Sequence, residues 1–172
     1  GTARLMPSAS FTKRIQHGSD DLLDMVANVE EYPTFIDLIS SLRITKQLSE
    51  TDFEAEAVAA YKSIRQSFKS LVHVDREKKV IRVTKAEKGG PVKNLENRWV
   101  FHELSDGTTL VDFYVDVTLK AFPLNLLIKD KFEKASRHIM KVFEERAAKV
   151  CDPVKADPDL NLKKEKSRLG IA

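Results

Sequence analysis

From residue 42 to residue 119, apolar side chains return at every second position, and charged or hydroxyl side chains fill most positions between them. The runs are Leu42/Ile44, Phe53/Ala55/Ala57/Ala59, Ile64/Gln66/Phe68/Ser70/Val72/Val74, Leu95/Asn97/Trp99/Phe101 and Val111/Phe113/Val115/Val117/Leu119. Successive side chains of a strand point to opposite faces, so each run predicts a half-buried antiparallel strand. Residues 80–87 continue the series with an unsettled phase. Asp75–Arg76 and Asp106–Gly107 are turn signals between runs.

At residue 123 the period changes. Pro123 suits a first helical turn, where its missing N–H is no loss and its fixed φ is already helical. Ile128, Phe132, Ala135, Ile139, Val142, Phe143, Ala147 and Val150 then recur at steps of three and four, with Glu133, Arg137, Lys141, Glu144 and Glu145 opposite. The pattern predicts one helix over 123–150 with a buried stripe and a wet face. Asp130–Lys134, Glu133–Arg137 and Glu145–Lys149 place an acid four residues before a base, each pair contributing about 0.2–0.5 kcal/mol. Such a helix is roughly 42 Å long, enough to cross a whole sheet. Its opening, residues 121–128 (AFPLNLLI), is more apolar than a water-facing helix needs. Three surfaces would account for that: the entrance lip of a cavity, the short helices, or a partner subunit.

Ahead of the sheet, residues 10–15 read as a first strand. Ser19 offers an N-cap oxygen to a short helix over 20–27, whose Asp20 and Asp21 complement the positive helix end and whose Leu22, Leu23 and Val26 form its buried side. Residues 29–38, with Tyr32, Pro33 and Phe35, read as a turn or second short helix. The order predicts an α+β fold: a curved antiparallel sheet of about seven strands wrapped around the long helix, which buries both apolar faces. Residues 8–150 form this domain. Residues 151–172, with two prolines, many charges and little periodicity, are predicted to be a flexible tail.

Apolar content of 42% in 172 residues is enough for one real core. The formal charge of +3 has no basic block behind it, which disfavours DNA. Cys151 is the single cysteine, so no intramolecular disulfide is possible and a reducing compartment is compatible. No stretch approaches 18 uninterrupted apolar residues, and the first residues lack the apolar centre of a secretory signal. The expected location is intracellular.

The predicted inner faces carry little that can do chemistry, with Gln66, Ser70 and Asn97 as their polar groups. An acid–base enzyme needs titratable groups converging on substrate. His17, His73, His102 and His138 are scattered without metal-ligand spacing, and alternation puts His73 and His102 on the outer face. Gly89–Gly90–Pro91 lacks the lysine and helix of a phosphate loop and reads as a turn. No catalytic and no metal residues are assigned. Ala55, Ala57 and Ala59 leave volume opposite Phe68, Trp99, Phe113 and Phe132. That volume is either an apolar cavity or space filled by bulky neighbours. Asn97 or Gln66 in such a wall would hold a ligand's polar head, or else bond to backbone or cavity water.

Three motifs carry a resemblance: Val29-Glu30-Glu31-Tyr32-Pro33-Thr34-Phe35, the stretch from Gly90-Pro91 through Leu95 to Trp99-Val100-Phe101, and Val111-Asp112-Phe113 leading into the helix. Over residues 8–150 the chain resembles the coenzyme Q-binding family of START-like, helix-grip proteins, also described as polyketide cyclase/dehydrase-like. It departs from the family pattern at Ile36-Asp37-Leu38 and Val92.

The resemblance implies binding and delivery of a polyisoprenoid quinone, ubiquinone or a related lipid, in support of respiratory electron transport. No cofactor is required beyond that bound ligand. It implies a pocket lined by Tyr32, Phe35, Phe68, Asn97, Trp99, Phe101, Phe113, Leu127, Phe132 and Ile139, with Tyr32, Pro33 and Phe35 as a gate and Leu124, Leu127 and Ile128 near the entrance. It places the protein at the inner membrane surface of a bacterium or in the mitochondrial matrix, with peripheral membrane contact through 121–128. Two alternatives belong to the same resemblance: a ribosome-association toxin that binds the large ribosomal subunit, and a polyketide cyclase-like enzyme.

Overall fold

The first strand and the second lie at opposite edges of one seven-stranded antiparallel sheet, and this fixes the architecture. The strands are β1 (Ser8–Ile15), β2 (Ile39–Gln47), β3 (Asp52–Tyr61), β4 (Ile64–Asp75), β5 (Val80–Lys85), β6 (Val92–Glu103) and β7 (Thr109–Leu119), in the spatial order β1-β7-β6-β5-β4-β3-β2. The chain must cross the full width of the sheet between β1 and β2. It does so through α1 (Ser19–Ala27) and a 3-10 helix (Val29–Thr34). The long helix α2 (Phe122–Val150) packs against the inner face, and α3 (Leu162–Leu169) follows. The computed structural model describes residues 8–171 apart from Glu87, Pro91 and Ala121; for Tyr61, Ile64, Leu119 and 122–131 it describes the backbone alone.

Register pairs Trp99 with Phe113 and with Ile81, and Asn97 with Val115 and with Val83. The inner rows are therefore those the alternation predicts. Bulges on β2 and β6 interrupt the ladder near Ile39/Ser41, Ile44/Lys46 and Val92/Asn94, and such insertions bend and twist the bulged strand. The phase of β5 is now settled. Ile81 is buried, Val83 and Lys85 are half-buried, and Arg82 and Thr84 face solvent.

Three expectations are corrected. Gly18, not Ser19, caps α1: the Gly18 carbonyl accepts from Leu22 N at 3.1 Å, and the Ser19 hydroxyl instead accepts from Lys79 Nζ at 2.5 Å. A fully buried Ser19 beside the β4–β5 turn is worth more as a tertiary acceptor than as a local cap. On α2 the fully buried stripe is Ser136, Met140, Phe143 and Ala147, continuing to Cys151. Ala135, Ile139 and Val142 flank it half-buried, and Val150 is 51% exposed. Two apolar stripes of almost equal strength overlap on this helix. The small Ser136 lies on the innermost one.

The third correction is the segment after α2, which docks on the domain. His17 and Pro153 form an antiparallel bridge, and Val154 N donates to Gln16 O at 2.9 Å. Asp106 gathers four donors: Arg14, the Thr108 hydroxyl at 2.6 Å, Thr108 N at 3.0 Å and Asp157 N at 2.8 Å. Buried Glu165 accepts from Ser105 N at 2.5 Å and the Ser105 hydroxyl at 2.9 Å, and pairs with Arg168 at 3.2 Å. Charges that read as solvated in the sequence are thus consumed by specific partners. The helix itself has a cap at each end: Asn161 Oδ1 accepts from Lys164 N, and Gly170, at φ 73°, ends it in the left-handed conformation.

Candidate functional site

Burial is unequal along the inner face. At one end Trp99, Phe101, Val111, Phe113 and Ile81 are buried beneath α1 and the Met140–Ala147 turn of α2. Moving along the same strands, Asn97 and Leu95 on β6, Val115 and Val117 on β7, Val83 on β5 and Phe68 on β4 are only half-buried. On α2 the change runs in parallel, from Ala147 at 0% exposure to a half-buried Phe132. The grip is closed at one end and loosens toward the other.

The closed end is an aromatic cluster centred on Phe143. Its ring meets Tyr32 at 5.3 Å, Phe35 at 5.3 Å and Trp99 at 5.0 Å, all edge-to-face. Trp99 in turn meets Phe113 at 4.7 Å and stacks on Phe101 at 6.0 Å. Edge-to-face pairs of this kind contribute about 0.5–1.5 kcal/mol beyond area burial. Sequence reasoning placed Phe143 in the helix stripe but not in the site. Its signal was an aromatic residue one helical turn from Ile139, facing the Tyr-Pro-x-Phe motif.

The residues expected to gate the pocket here form a plug. The Tyr32 hydroxyl donates to Val26 O, tying the 3-10 helix to α1. Tyr32 as a whole is half-buried, but its hydroxyl is turned inward, and burial pushes the phenol well above its usual range. Arg146 lies over the Phe35 ring at 5.1 Å and approaches Glu31 at 3.9 Å, so the wet side of α2 also clasps the plug. The enclosed space at this end, lined by Ile15, Leu22, Met25, Trp99 and Phe143 among others, is about 10 Å³. That is room for about one water. Of the two readings of the space opposite Trp99, close packing applies at this end.

Asn97 bonds within the protein: its Nδ2 donates to Tyr114 O at 2.9 Å, and its Oδ1 accepts from Trp99 Nε1 at 3.1 Å. It fixes the tryptophan ring at the boundary between the two ends. Phe68, Asn97 and Phe132 line the looser end, Tyr32, Phe35, Trp99, Phe101 and Phe113 belong to the closed end, and Ile139 packs half-buried against the closed-end core. The side chain of Leu127, like those of Leu124 and Ile128, lies outside the described residues, as does the expected lip over 121–128.

The paired histidines sit elsewhere. His73 pairs with Asp52 at 2.7 Å and His102 with Asp112 at 2.9 Å, both on the outer face of the sheet. Among the described residues no three His, Cys, Asp or Glu side chains stand close enough to hold a metal ion. Burial, with the carboxylates of Asp21, Asp152 and Asp24, pushes the Cys151 thiol up to about 11, so it stays protonated and unreactive near neutral pH. The settled phase of β5 adds one group that sequence reasoning missed. Lys85 pairs in register with buried Ser70 and shares the inner face with Ile81 and Val83.

Comparison with known proteins fits this architecture. The ribosome association toxin RatA of Rickettsia prowazekii is 26% identical over 148 residues, 84% of this chain and 99% of that protein. The solution structure of an 18 kDa protein from Caulobacter crescentus is 26% identical and superposes with a TM-score of 0.68 over 84% of this chain and 97% of its own. A STAR-related lipid transfer protein from Xanthomonas axonopodis shares the fold at 9% identity, with a TM-score of 0.69 over 82% of this chain and 85% of its own. No helix among the described residues is long and apolar enough to cross a membrane. A family model described as polyketide cyclase / dehydrase and lipid transport matches residues 15–144, the span from the end of β1 to the aromatic hub of α2, and the chain belongs to that family.

Proposed function

We propose that this protein binds a long-chain hydrophobic ligand, ubiquinone or a related isoprenoid lipid, between the looser end of the sheet and α2, and delivers it to a membrane in support of respiratory electron transport. The observation that carries this reading is the burial gradient: Leu95, Val115, Val117, Phe68 and Phe132 face inward yet keep solvent access, while Trp99 and Phe101 further along β6, Phe113 and Val111 further along β7, and Phe143 further along α2 are buried. Apolar side chains facing inward but half-wet gain free energy when a ligand covers them, and each buried CH₂ of that ligand contributes about 0.8 kcal/mol. The Phe143 cluster sets the floor on which the ligand stops. Release then requires an apolar acceptor, which a bilayer supplies and water does not.

The test is organic extraction and mass spectrometry of the protein from its native host, with ubiquinone titration followed by the fluorescence of Trp99, the single tryptophan. Recovery of a quinone or lipid and saturable quenching are expected. Repeated extraction of nothing, with no binding of added quinone, removes the reading.

The similarity to the Rickettsia toxin over its whole length favours a second reading, association with the large ribosomal subunit. Co-sedimentation with large subunits, lost on mutation of exposed basic residues and indifferent to Phe68 or Phe132, decides for it.

A further inference from the structure

Lys85 is a charged residue in an apolar row. It ends β5 on the inner face, half-buried, with Ser70 beside it on β4 and Ala55 beyond Ser70 on β3. On the other side the β5–β6 register, which pairs Thr84 with Glu96, brings Leu95 next to it. The two small side chains, Ser70 and Ala55, leave room on one flank of the lysine. No described carboxylate pairs with Lys85: the Glu and Asp side chains nearest in register, such as Glu96 and Asp116, alternate to the other face. A lysine that only needs solubility belongs on the outer face, where Arg82 and Thr84 sit.

From this placement we infer that Lys85 is the head-group anchor of the ligand site: its ammonium takes an acceptor oxygen on the ligand's polar head while the tail runs along Leu95, Val117 and Phe132. The inference rests on the hydrophobic-ligand reading and adds a chemical requirement to it, that the ligand carry a strong oxygen acceptor at one end. A carboxylate and a quinone carbonyl both meet it, and a pure hydrocarbon does not. Both contacts are charge-assisted through the ammonium, and an ammonium–carboxylate contact is the stronger because the attraction of two opposite charges adds to the hydrogen bond. The alternative role, a long aliphatic stem covering apolar surface with its charge in water, predicts no preference for oxygen.

The experiment uses the delipidated full chain and diphenylhexatriene, a fluorescent hydrocarbon with no oxygen, displaced by hexadecanoic acid or by decylubiquinone. The unmodified protein is expected to bind the probe and release it to both competitors. Lys85→Met keeps the stem and removes the charge. It should leave probe affinity within about twofold and weaken one or both competitors by about tenfold, the free energy of one charged hydrogen bond. Lys85→Arg should restore most of the loss. A larger loss for hexadecanoic acid identifies an anionic head, and a larger loss for decylubiquinone a carbonyl head. Unchanged competitor affinities in Lys85→Met, or equal loss of probe and competitors, overturn the anchor and leave the hydrophobic site standing. Failure of the unmodified protein to bind probe and competitors removes the site and the anchor together.

Discussion

The two ends of the grip are built from the same strands and the same helix, yet they do opposite things. At the Phe143 end six rings and the α1 side chains fill the space between sheet and helix to about 10 Å³. At the Phe68–Phe132 end the inward positions include Asn97 and Lys85, and Leu95, Val117, Phe68 and Phe132 remain half-wet. The difference is in what covers them, since α1 and the 3-10 helix cross over one end of the sheet only. A single helix laid across a sheet longer than its helical cover can keep one end for stability and the other for a guest.

That division can be broken from either side. The largest effect is expected from Phe143→Ala, which removes the hub touching Tyr32, Phe35 and Trp99; urea unfolding should show a loss of about 3–5 kcal/mol. A loss near that of an exposed residue would mean the closed end is not the stability centre. Phe68→Ala at the other end should cost only about 1 kcal/mol, because the ring is already half-exposed, while weakening probe and quinone binding severalfold. Equal costs at the two positions would abolish the distinction.

Acid offers a milder probe, directed at the docked C-terminal segment. Arg168, with the Ser105 amide and hydroxyl, holds the Glu165 carboxyl down at about 2, against an ordinary 4.5. Burial pushes the Asp106 carboxyl up, but the Thr108 hydroxyl, the Asp157 and Thr108 amides and Arg14 together hold it well below the usual carboxylate range. Both folded-state values are depressed, so their stabilisation is complete above the unfolded values and is lost as pH falls. The loss for Glu165 should run from pH 4.5 down toward 2. Limited proteolysis across that range should release the segment after α2 first, and Glu165→Gln should remove the part of that pH dependence that Glu165 contributes, leaving the part due to Asp106.

The smallest effect on stability is expected from Leu127→Asp. If 121–128 is an entrance lip, liposome co-flotation falls while the urea midpoint stays put. A large shift of the midpoint would return that run to the core.

Much of this was legible in the chain because period-2 alternation is unambiguous when one sheet face is buried and the other is charged. The strands and the inward rows through Trp99 and Phe113 follow from it directly. The helix start followed from Pro123 and a change of period. The exact stripe of α2 was not legible, since Met140/Phe143 and Ile139/Val142 are equally apolar and only the closeness of the sheet at Ser136 decides between them. Short β5 hid its phase, and with it Lys85. The docked segment hid for another reason: its contacts are polar and long-range, Glu165 to Ser105 and Asp157 to Asp106, and leave no apolar period. Asn161 and Gly170, flanking eight residues, were the start and stop signals available. For the site, the residues could be named, but their division between floor and open wall depends on what α1 covers.

The pairing of β1 with β7 carries a consequence for how the molecule is made. Ser8 lies opposite Asp116 and Ile15 opposite Thr109, so the first strand waits for a partner roughly a hundred residues downstream. At about 5–20 residues per second of synthesis, that wait is roughly 5–20 s. For that time the amino-terminal strand has no ladder to join, and β7, once made, briefly offers an open edge of apolar and hydroxyl side chains. Loop closure over such a distance slows folding more than any local step. The strand that seals the sheet is therefore the part of this protein most exposed to wrong partners at birth.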